Sequence, residues 1–337
     1  MEQSVGAPTL GGKGWRAFLE RNPGIATPLG VAVPLLAIIV VITVSNPVFL
    51  SQRNLFNILR QTAVFMVLGV GMTFVIATGG IDLSVGSTVG LTASVAGLLL
   101  DPRFLGGASS TGVAILAAVG VGALVGVING TAVSVFRVPP LIATLGMLNA
   151  MRGVAYLIMG QNIARGFPVA YQNIGQAYVG PVPVPVIIAL STIVIGAVFL
   201  NMTKSGKYIL ATGGNEEAAR RFGVRVNRYK FVVYVVSGAL AGVAGVLLSA
   251  RLSAAQATLG QVMELHTIAV VVIGGTYLFG GYATMLGTFL GAILLGVLEN
   301  GLLIIGVPFY WQMITIGFLL VIAVAIQLYR FRKMGSS

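Results

Sequence analysis

Cysteine is absent from the sequence, and histidine occurs once, at His266. The absence of cysteine excludes a disulfide framework and thiolate metal ligands, and a single histidine argues against a histidine-based metal centre. Charged residues are also scarce, at 8% of the 337 residues, whereas a soluble domain has about a quarter. We therefore expect no metal site and, for most of the chain, an environment other than water.

Apolar residues make up 57% of the chain and recur in stretches long enough to cross a bilayer, which takes about 20 helical residues. The 46 glycines would let such helices approach one another closely. The sequence therefore predicts an all-α, polytopic transmembrane helix bundle of about ten helices. The predicted spans are 28–48, 60–78, 84–100, 112–136, 139–160, 183–202, 231–250, 264–279, 283–306 and 309–328.

The third and eighth predicted spans are short and interrupted by glycine. They lie beside the pairs Gly79-Gly80 and Gly274-Gly275. Because broken helices in membranes are tolerated where they border a cavity, we expect both to line one. The connection at 161–182 should be ordered, and both a docking surface for an external partner and a plain linker fit it.

Lysine and arginine outnumber the acidic residues by 20 to 8, a net charge of +12. Such an excess fits either nucleic-acid binding or a membrane protein with basic cytoplasmic loops. With both termini cytoplasmic, fourteen basic residues fall inside and five outside, which favours this orientation and removes nucleic acid as a partner. We thus expect a cytoplasmic segment at 1–27 leading into an uncleaved first span, a transmembrane domain at 28–328 and a cytoplasmic tail at 329–337.

The largest polar segment, residues 203–230, is a predicted cytoplasmic loop between the sixth and seventh spans. Within it, Asn215 can cap a short helix that has acidic residues in its first turn and basic residues in its last, as the helix dipole favours. Gly223 would end that helix with a left-handed cap. The predicted helix residues are Glu216, Glu217, Ala218, Ala219, Arg220 and Arg221.

This loop resembles a known motif. Glu217-Ala218-Ala219, followed after three residues by Gly223, resembles the EAA motif of ABC importer permeases. The resemblance implies that the loop docks into a groove on a separate ATPase subunit. The residues from Asn215 to Gly223 are therefore the predicted site of coupling to the ATPase. A solvated basic linker is the alternative interpretation.

Other segments strengthen the resemblance to permeases of ribose, xylose and galactose importers, over roughly residues 50–328. The segments are TGGIDLSVGS at 78–87, VPPLIATLGML at 138–148, IAVVVIGGTYLFGG at 268–281 and GVLENGL at 296–302. The family implies a second permease copy or paralogue, an ABC ATPase that binds ATP and Mg²⁺, an external solute-binding protein, and a bacterial inner membrane. His266 and Tyr277 depart from the expected pattern, which bears on the identity of the substrate.

This chain should not hydrolyse ATP. A Walker A sequence needs a glycine five residues before a Gly-Lys pair, and a serine or threonine after it. Neither Gly12-Lys13 nor Gly206-Lys207 meets this requirement. We therefore expect no catalytic residue and no cofactor on this chain.

Arg152 lies within a predicted span, with Asn149 and Tyr156 on the same helix face at spacings of three and four. A charged residue inside a membrane is costly, so that face should avoid lipid. Pairing of Arg152 with Glu264 or Glu299 would reduce the cost, and direct contact with sugar is the alternative. The three residues of this face are candidates for the pathway or its gate.

Four further polar residues are pathway or gate candidates. Asp82 follows a glycine pair, where its carboxylate could cap exposed backbone N–H groups. Glu299 and Asn300 could hydrogen-bond a hydroxyl-rich solute or make interhelical contacts, and Tyr277 could offer an aromatic face to a sugar. His266 is expected at the outer membrane interface.

Three rival functions remain open from the sequence. An ion-coupled secondary transporter would use intramembrane acidic residues such as Asp82, Glu264 or Glu299. An intramembrane protease is disfavoured by the single histidine. The same ABC mechanism with another cargo, such as a branched amino acid, an autoinducer or a nucleoside, cannot be separated from sugar import by these patterns.

Overall fold

The computed structural model describes residues 23–104 and 110–334. Thirteen α-helices, one 3-10 helix and one hairpin of two-residue strands make up this part of the chain. The helices before the largest polar segment are α1 (Pro23–Ser45), α2 (Gln52–Ala77), α3 (Val85–Leu100), α4 (Thr111–Ser134), α5 (Pro140–Met159), α6 (Val169–Gln176) and α7 (Val184–Met202). The later ones are α8 (Lys204–Gly214), α9 (Glu216–Arg221), α10 (Val226–Leu252), α11 (Met263–Ile273), α12 (Met285–Ile304) and α13 (Phe309–Met334). The 3-10 helix is Pro47–Leu50, and β1 (Tyr178–Val179) pairs antiparallel with β2 (Val182–Pro183).

Seven of these helices are long and apolar enough to cross a membrane, namely α2, α4, α5, α7, α10, α12 and α13. The apolar helices α1, α3 and α11 are shorter in the part that was searched, at Gly30–Ser45, Val85–Leu100 and Met263–Ile273. All ten coincide with the ten predicted spans, and the third and eighth are the short ones, as predicted. The all-α, polytopic bundle is therefore confirmed.

Helix α2 forms the centre of the bundle. From Thr62 to Ala77 nearly every residue is buried, and α7, α10, α11 and α12 all pack against it. A helix that is apolar on every side needs such surroundings. By contrast, α1, α5 and α13 keep much of their apolar surface exposed, which suits helices at the lipid boundary or at a contact with another subunit.

Glycine sets the closest helix pair, α4 against α10. A Cβ on Gly126 would lie 2.8 Å from Val235 Cα, and one on Gly242 would lie 2.7 Å from Val119 Cα. On α10, a Cβ on Gly238 would lie 2.8 Å from the backbone nitrogen of Gly126. Only glycine permits this approach of two backbones, which confirms the tight packing expected from the glycine content.

The structure also differs from the predicted boundaries. Helix α11 ends at Ile273 because Gly275, with φ +91°, turns the chain away, so residues 274–279 of the predicted eighth span are not helical. Helix α13 continues to Met334, into the predicted tail at 329–337. The connection at 161–182 contains α6 and most of the hairpin. Most of the predicted N-terminal segment, 1–27, lies outside the described residues.

Candidate functional site

The predicted helix after Asn215 is present as α9. The Asn215 side-chain oxygen accepts a hydrogen bond from the backbone N–H of Ala218 at 2.9 Å, which caps the helix. Gly223 follows the helix with φ +82°, a backbone conformation that glycine adopts at no steric cost. The local structure of the predicted coupling residues is therefore as expected, while their contact with an ATPase stays a prediction.

Ion pairs hold α9 against the start of α10. The two carboxylate oxygens of Glu216 contact Arg220 at 2.9 Å and Lys230 at 2.6 Å, and Glu217 pairs with Arg221. The hydrogen bond from Lys230 is the main cause that lowers the pKa of Glu216. Glu216 thus positions α9, whereas Glu217, with 75% of its side chain exposed, faces outward.

Phe222 was missed in the sequence analysis. It is 89% exposed and lies between Arg221 and the turn at Gly223. A large aromatic side chain standing out of a charged loop is unusual on a free surface and common at a binding interface. The signal in the sequence was the single aromatic residue inside the charged EEAARRFG stretch.

Helix α8, which the sequence did not predict, brings two glycine pairs and Gly79 together. We call Gly79, Gly213, Gly214, Gly280 and Gly281 the glycine cluster. A Cβ on Gly213 would lie 2.6 Å from the backbone nitrogen of Gly281, and one on Gly280 would lie 2.7 Å from the backbone nitrogen of Gly79. The N–H of Gly281 also donates to the carbonyl of Ala77 at 3.1 Å. The loop that carries the coupling residues therefore contacts both the break after α2 and the loop that follows α11.

Asp82 lies in the break between α2 and α3 and is buried. Its carboxylate accepts the backbone N–H of Ser84 at 3.0 Å and the Ser84 hydroxyl at 2.6 Å, so it satisfies exposed backbone as expected. It also accepts the hydroxyl of Ser237 on α10 at 2.9 Å. Asn129 on α4 joins the group by donating to the Ser84 hydroxyl at 2.8 Å. These contacts tie the break to two other helices.

The expected pairing of Arg152 with Glu264 or Glu299 is wrong. The guanidinium instead donates to the carbonyl oxygens of Ala257 at 2.5 Å and Leu259 at 2.7 Å, in the connection between α10 and α11. Two carbonyl dipoles satisfy Arg152 because that connection passes directly over Gly90 of α3. Glu264 lies near enough to interact with the arginine through space, without a direct ion pair.

The other two residues of that helix face are exposed on the surface of the chain. Asn149 and Tyr156 are both exposed on α5, and Asn149 donates to the carbonyl of Leu145 at 3.2 Å. Polar groups on an exposed membrane face are stable where a second subunit or a water-filled path covers them. Asn149 and Tyr156 therefore remain pathway candidates. Arg152 instead fixes α5 to the connection between α10 and α11.

Glu299 and Asn300 make separate interhelical contacts. Asn300 exchanges two amide hydrogen bonds with Asn54 of α2, at 2.8 and 2.9 Å. Glu299 contacts His266 of α11 at 3.2 Å and accepts from Gln61 of α2 at 3.0 Å. The His266 ring is held between helices with 16% of the side chain exposed, and its expected place at the outer membrane interface stays a prediction.

Tyr277 is not on a helix. It lies in the loop after α11, beside Phe279, with the ring centroids 5.5 Å apart. Its backbone N–H donates to the carbonyl of Tyr282 at 2.9 Å, which closes the turn that carries Gly280 and Gly281. Tyr277 therefore lies next to the glycine cluster. Glu299 lies far from it, because it is 14 residues after the first residue of α12.

Comparison with known proteins gives a consistent family. The profile of the family described as "Branched-chain amino acid transport system / permease component" matches residues 54–324. The ribose import permease protein RbsC of Escherichia coli (strain K12) is 42% identical, covering 87% of this chain and 91% of that protein. RbsC of Bacillus subtilis (strain 168) is 38% identical over 89% of this chain and 92% of its own. The galactose/methyl galactoside import permease protein MglC of Escherichia coli (strain K12) is 34% identical over 90% and 95%.

No solved structure matches the chain. The family profile spans well over half of the sequence, and the relatives are matched over nearly their whole length. Together with the ten apolar helices, these matches show that the chain belongs to this family of transport-system permease components and is a multi-pass inner-membrane permease subunit.

Proposed function

We propose that this chain is the permease subunit of an ATP-driven ABC importer for a monosaccharide or a related polyol. The observation that carries the proposal is the near full-length similarity to permeases named for ribose and galactose import. The loop of α8 and α9 supports it, since it offers a charged helix and an exposed aromatic residue to a partner. ATP and Mg²⁺ would be bound by that partner, an ABC ATPase.

The basic residues support the proposed orientation in the membrane. The bundle end that carries α8 and α9, here the coupling end, also holds eight of the described lysines and arginines, and basic loops remain cytoplasmic. We therefore place the coupling end and both termini in the cytoplasm. The basic residues of the coupling end are Arg137, Lys204, Lys207, Arg220, Arg221, Arg225, Arg228 and Lys230. An external binding protein would deliver the solute at the other end, and a second permease copy or paralogue would complete the pathway.

The glycine cluster supplies a route from the ATPase to the membrane. Movement of α8 with a docked ATPase would be passed by direct backbone contact to the end of α2 at Ala77 and to the loop at Gly280-Gly281. From Ala77 the chain leads within five residues to Asp82, which is tied to α4 and α10. Nucleotide binding would then shift the equilibrium between two arrangements of the helices, because the ATPase binds them with different affinity.

The experiment is uptake into proteoliposomes that contain this chain, its ATPase and its binding protein. We expect Glu217→Ala to reduce assembly with the ATPase, and Gly223→Pro to abolish it, because proline cannot adopt the φ of +82° found there. Arg165→Ala, an exposed site at the other end of the bundle, is the matched control. Assembly and ATP-driven uptake unchanged in both loop variants would refute the coupling role, and uptake without any ATPase would favour an ion-coupled transporter.

A branched-chain amino acid is the second candidate cargo, because the description of the matched family names one. Competition between labelled D-ribose and unlabelled D-galactose, D-allose or L-leucine in the same proteoliposomes separates the two. Inhibition by L-leucine alone would show that the cargo is an amino acid and not a sugar. The proposed ABC mechanism would not be affected.

A further inference from the structure

A cavity of about 720 Å³ lies between α2, α11, α12 and α13, at the end of the bundle opposite the coupling end. Small-molecule sites occupy about 300–1,000 Å³ and are mostly apolar, with a few polar groups that fix the ligand. This cavity has that composition, with five polar side chains in an otherwise apolar wall. They are Gln61, Gln261, His266, Glu299 and Gln312.

The polar groups of the cavity are held in place by contacts across three helices. His266 Nε2 lies 3.2 Å from one oxygen of Glu299, and Gln61 donates to the other at 3.0 Å. The second ring nitrogen of His266 is 3.0 Å from the carbonyl of Val262. A carboxylate can accept about four hydrogen bonds, and an amide nitrogen can donate two. Glu299 and Gln61 therefore have acceptor and donor capacity for a ligand without giving up the contacts that orient them.

The wall of the cavity also has an aromatic part and a strained part. Phe65 stacks on the His266 ring, with centroids 5.7 Å apart and planes at 22°. Val262, at the start of α11, has φ +65° and ψ −2°, a conformation that is an outlier for a β-branched residue. Such backbone strain is concentrated at functional sites. Here it directs the Val262 carbonyl to His266 and so fixes the ring that contacts Glu299.

We propose that this cavity binds an uncharged, hydroxyl-rich small molecule, the transported sugar, where it first enters the permease. The inference rests on the proposed function. A sugar hydroxyl can donate to Glu299 and accept from Gln61, while the Phe65 ring provides an apolar wall. An amino acid would bring its own carboxylate close to that of Glu299, which Coulomb repulsion disfavours in a partly buried site.

The position of the cavity suits entry from outside. Glu299 is five residues before the end of α12, about 8 Å from that end at 1.5 Å per residue. His266 lies deeper, because it stacks on Phe65 near the midpoint of α2. Leu303 and Met313 are exposed at its rim, whereas Ile316 at its base is buried. Solute released by a protein bound at this end would meet the rim at Leu303 and Met313 first, and His266 only further in.

The absence of cysteine in the chain permits a direct test by thiol labelling. Leu303→Cys places a thiol on the rim, and Ile305→Cys, two residues on and also exposed but outside the cavity, is the matched control. Both variants are assembled with the ATPase in lipid nanodiscs and labelled with a water-soluble maleimide. D-Ribose, D-galactose and L-leucine are added in separate titrations.

We expect D-ribose or D-galactose to slow the labelling of Leu303→Cys several-fold and saturably, with no change at Ile305→Cys. Adding Glu299→Gln, which is isosteric, should shift the protection to several-fold higher sugar concentration. Absence of protection, equal protection of both cysteines, or protection by L-leucine alone would overturn the inference. Sugar uptake by the complete transporter is measured in parallel, so that uptake without protection refutes the cavity site alone and absence of uptake refutes the proposed function.

Discussion

Replacing Gly213 by alanine tests whether the glycine cluster couples movement of the ATPase to movement of the transmembrane helices. The added Cβ would collide with the carbonyl oxygen of Ala77 and lie 2.6 Å from the nitrogen of Gly281. Both are backbone atoms, so no side-chain rotation can relieve the contact. The same methyl group would intrude on the 3.1 Å hydrogen bond between Gly281 and Ala77.

The expected cost follows from these contacts. Overpacking a close contact costs about 1–3 kcal/mol, and the weakened backbone hydrogen bond adds about 1 kcal/mol. If the cost applies only to the arrangement in which α8 is seated on the cluster, even 1–3 kcal/mol changes the population of that arrangement by about 5- to 150-fold. We therefore expect Gly213→Ala to lower ATP-driven uptake by at least about fivefold.

The assay compares three quantities in the reconstituted transporter: assembly with the ATPase, ATP hydrolysis, and solute uptake. Gly213→Ala should leave assembly with the ATPase intact, because the docking surface of α9 is unchanged. ATP hydrolysis should continue, whereas solute uptake should fall. Gly214→Ala is the matched control, since its Cβ would meet only the Gly281 Cα, at an ordinary 3.7 Å. Both substitutions lie in the last turn of α8, so their effects on helix propensity are similar.

Wild-type uptake by a stably assembled Gly213→Ala transporter would refute the coupling role of the cluster. Equal loss of uptake in Gly214→Ala would also refute it, because that control keeps the contacts. The thermal unfolding midpoint of each variant in detergent separates loss of coupling from loss of folding.

Two further predictions concern the stability of the bundle. Asn300→Leu should destabilise it by about 1–2 kcal/mol, because the buried Asn54 amide loses its reciprocal partner, and the double variant with Asn54→Leu should recover part of that loss in thermal unfolding. Asp101, just after α3, has its pKa lowered chiefly by the hydrogen bonds from Arg103, so its contribution is complete at neutral pH and is lost as pH falls below about 4. The gap in unfolding midpoint between wild type and Asp101→Asn should therefore shrink in acid, and a gap that does not change with pH would contradict this assignment.

The sequence predicted the parts of the fold that depend on local patterns. Apolar runs gave the ten helices because each needs a length that matches the bilayer, and Asn215 and Gly223 marked α9 because capping is determined within a few residues. The ion pairs from Glu216 to Arg220 and from Glu217 to Arg221 are likewise one helical turn apart. Local rules of this kind need no knowledge of tertiary packing.

Contacts between distant segments could not be predicted in this way. Arg152 was expected to pair with an acidic residue, yet it binds carbonyl oxygens more than 100 residues later, which no charge pattern encodes. His266 was assigned to the membrane interface from its place in a span, and only the packing of α2 and α12 shows that it contacts Glu299. Glycines were counted as aids to packing, but their gathering around Gly213 depends on where α8 lies.

Helix α2 links the two proposed sites. It carries Gln61 and Phe65 at the cavity and ends at Ala77, which accepts the hydrogen bond of Gly281 in the glycine cluster. Phe65 and Ala77 are 12 residues apart, about 18 Å along a helix buried on all sides. A buried helix in close packing moves as a unit, because its neighbours leave no space for local bending. When α8 shifts the end of α2 at Ala77, Gln61 and Phe65 at the cavity should therefore move with it. In this way α2 can couple solute entry on one side of the membrane to ATP-driven movement on the other.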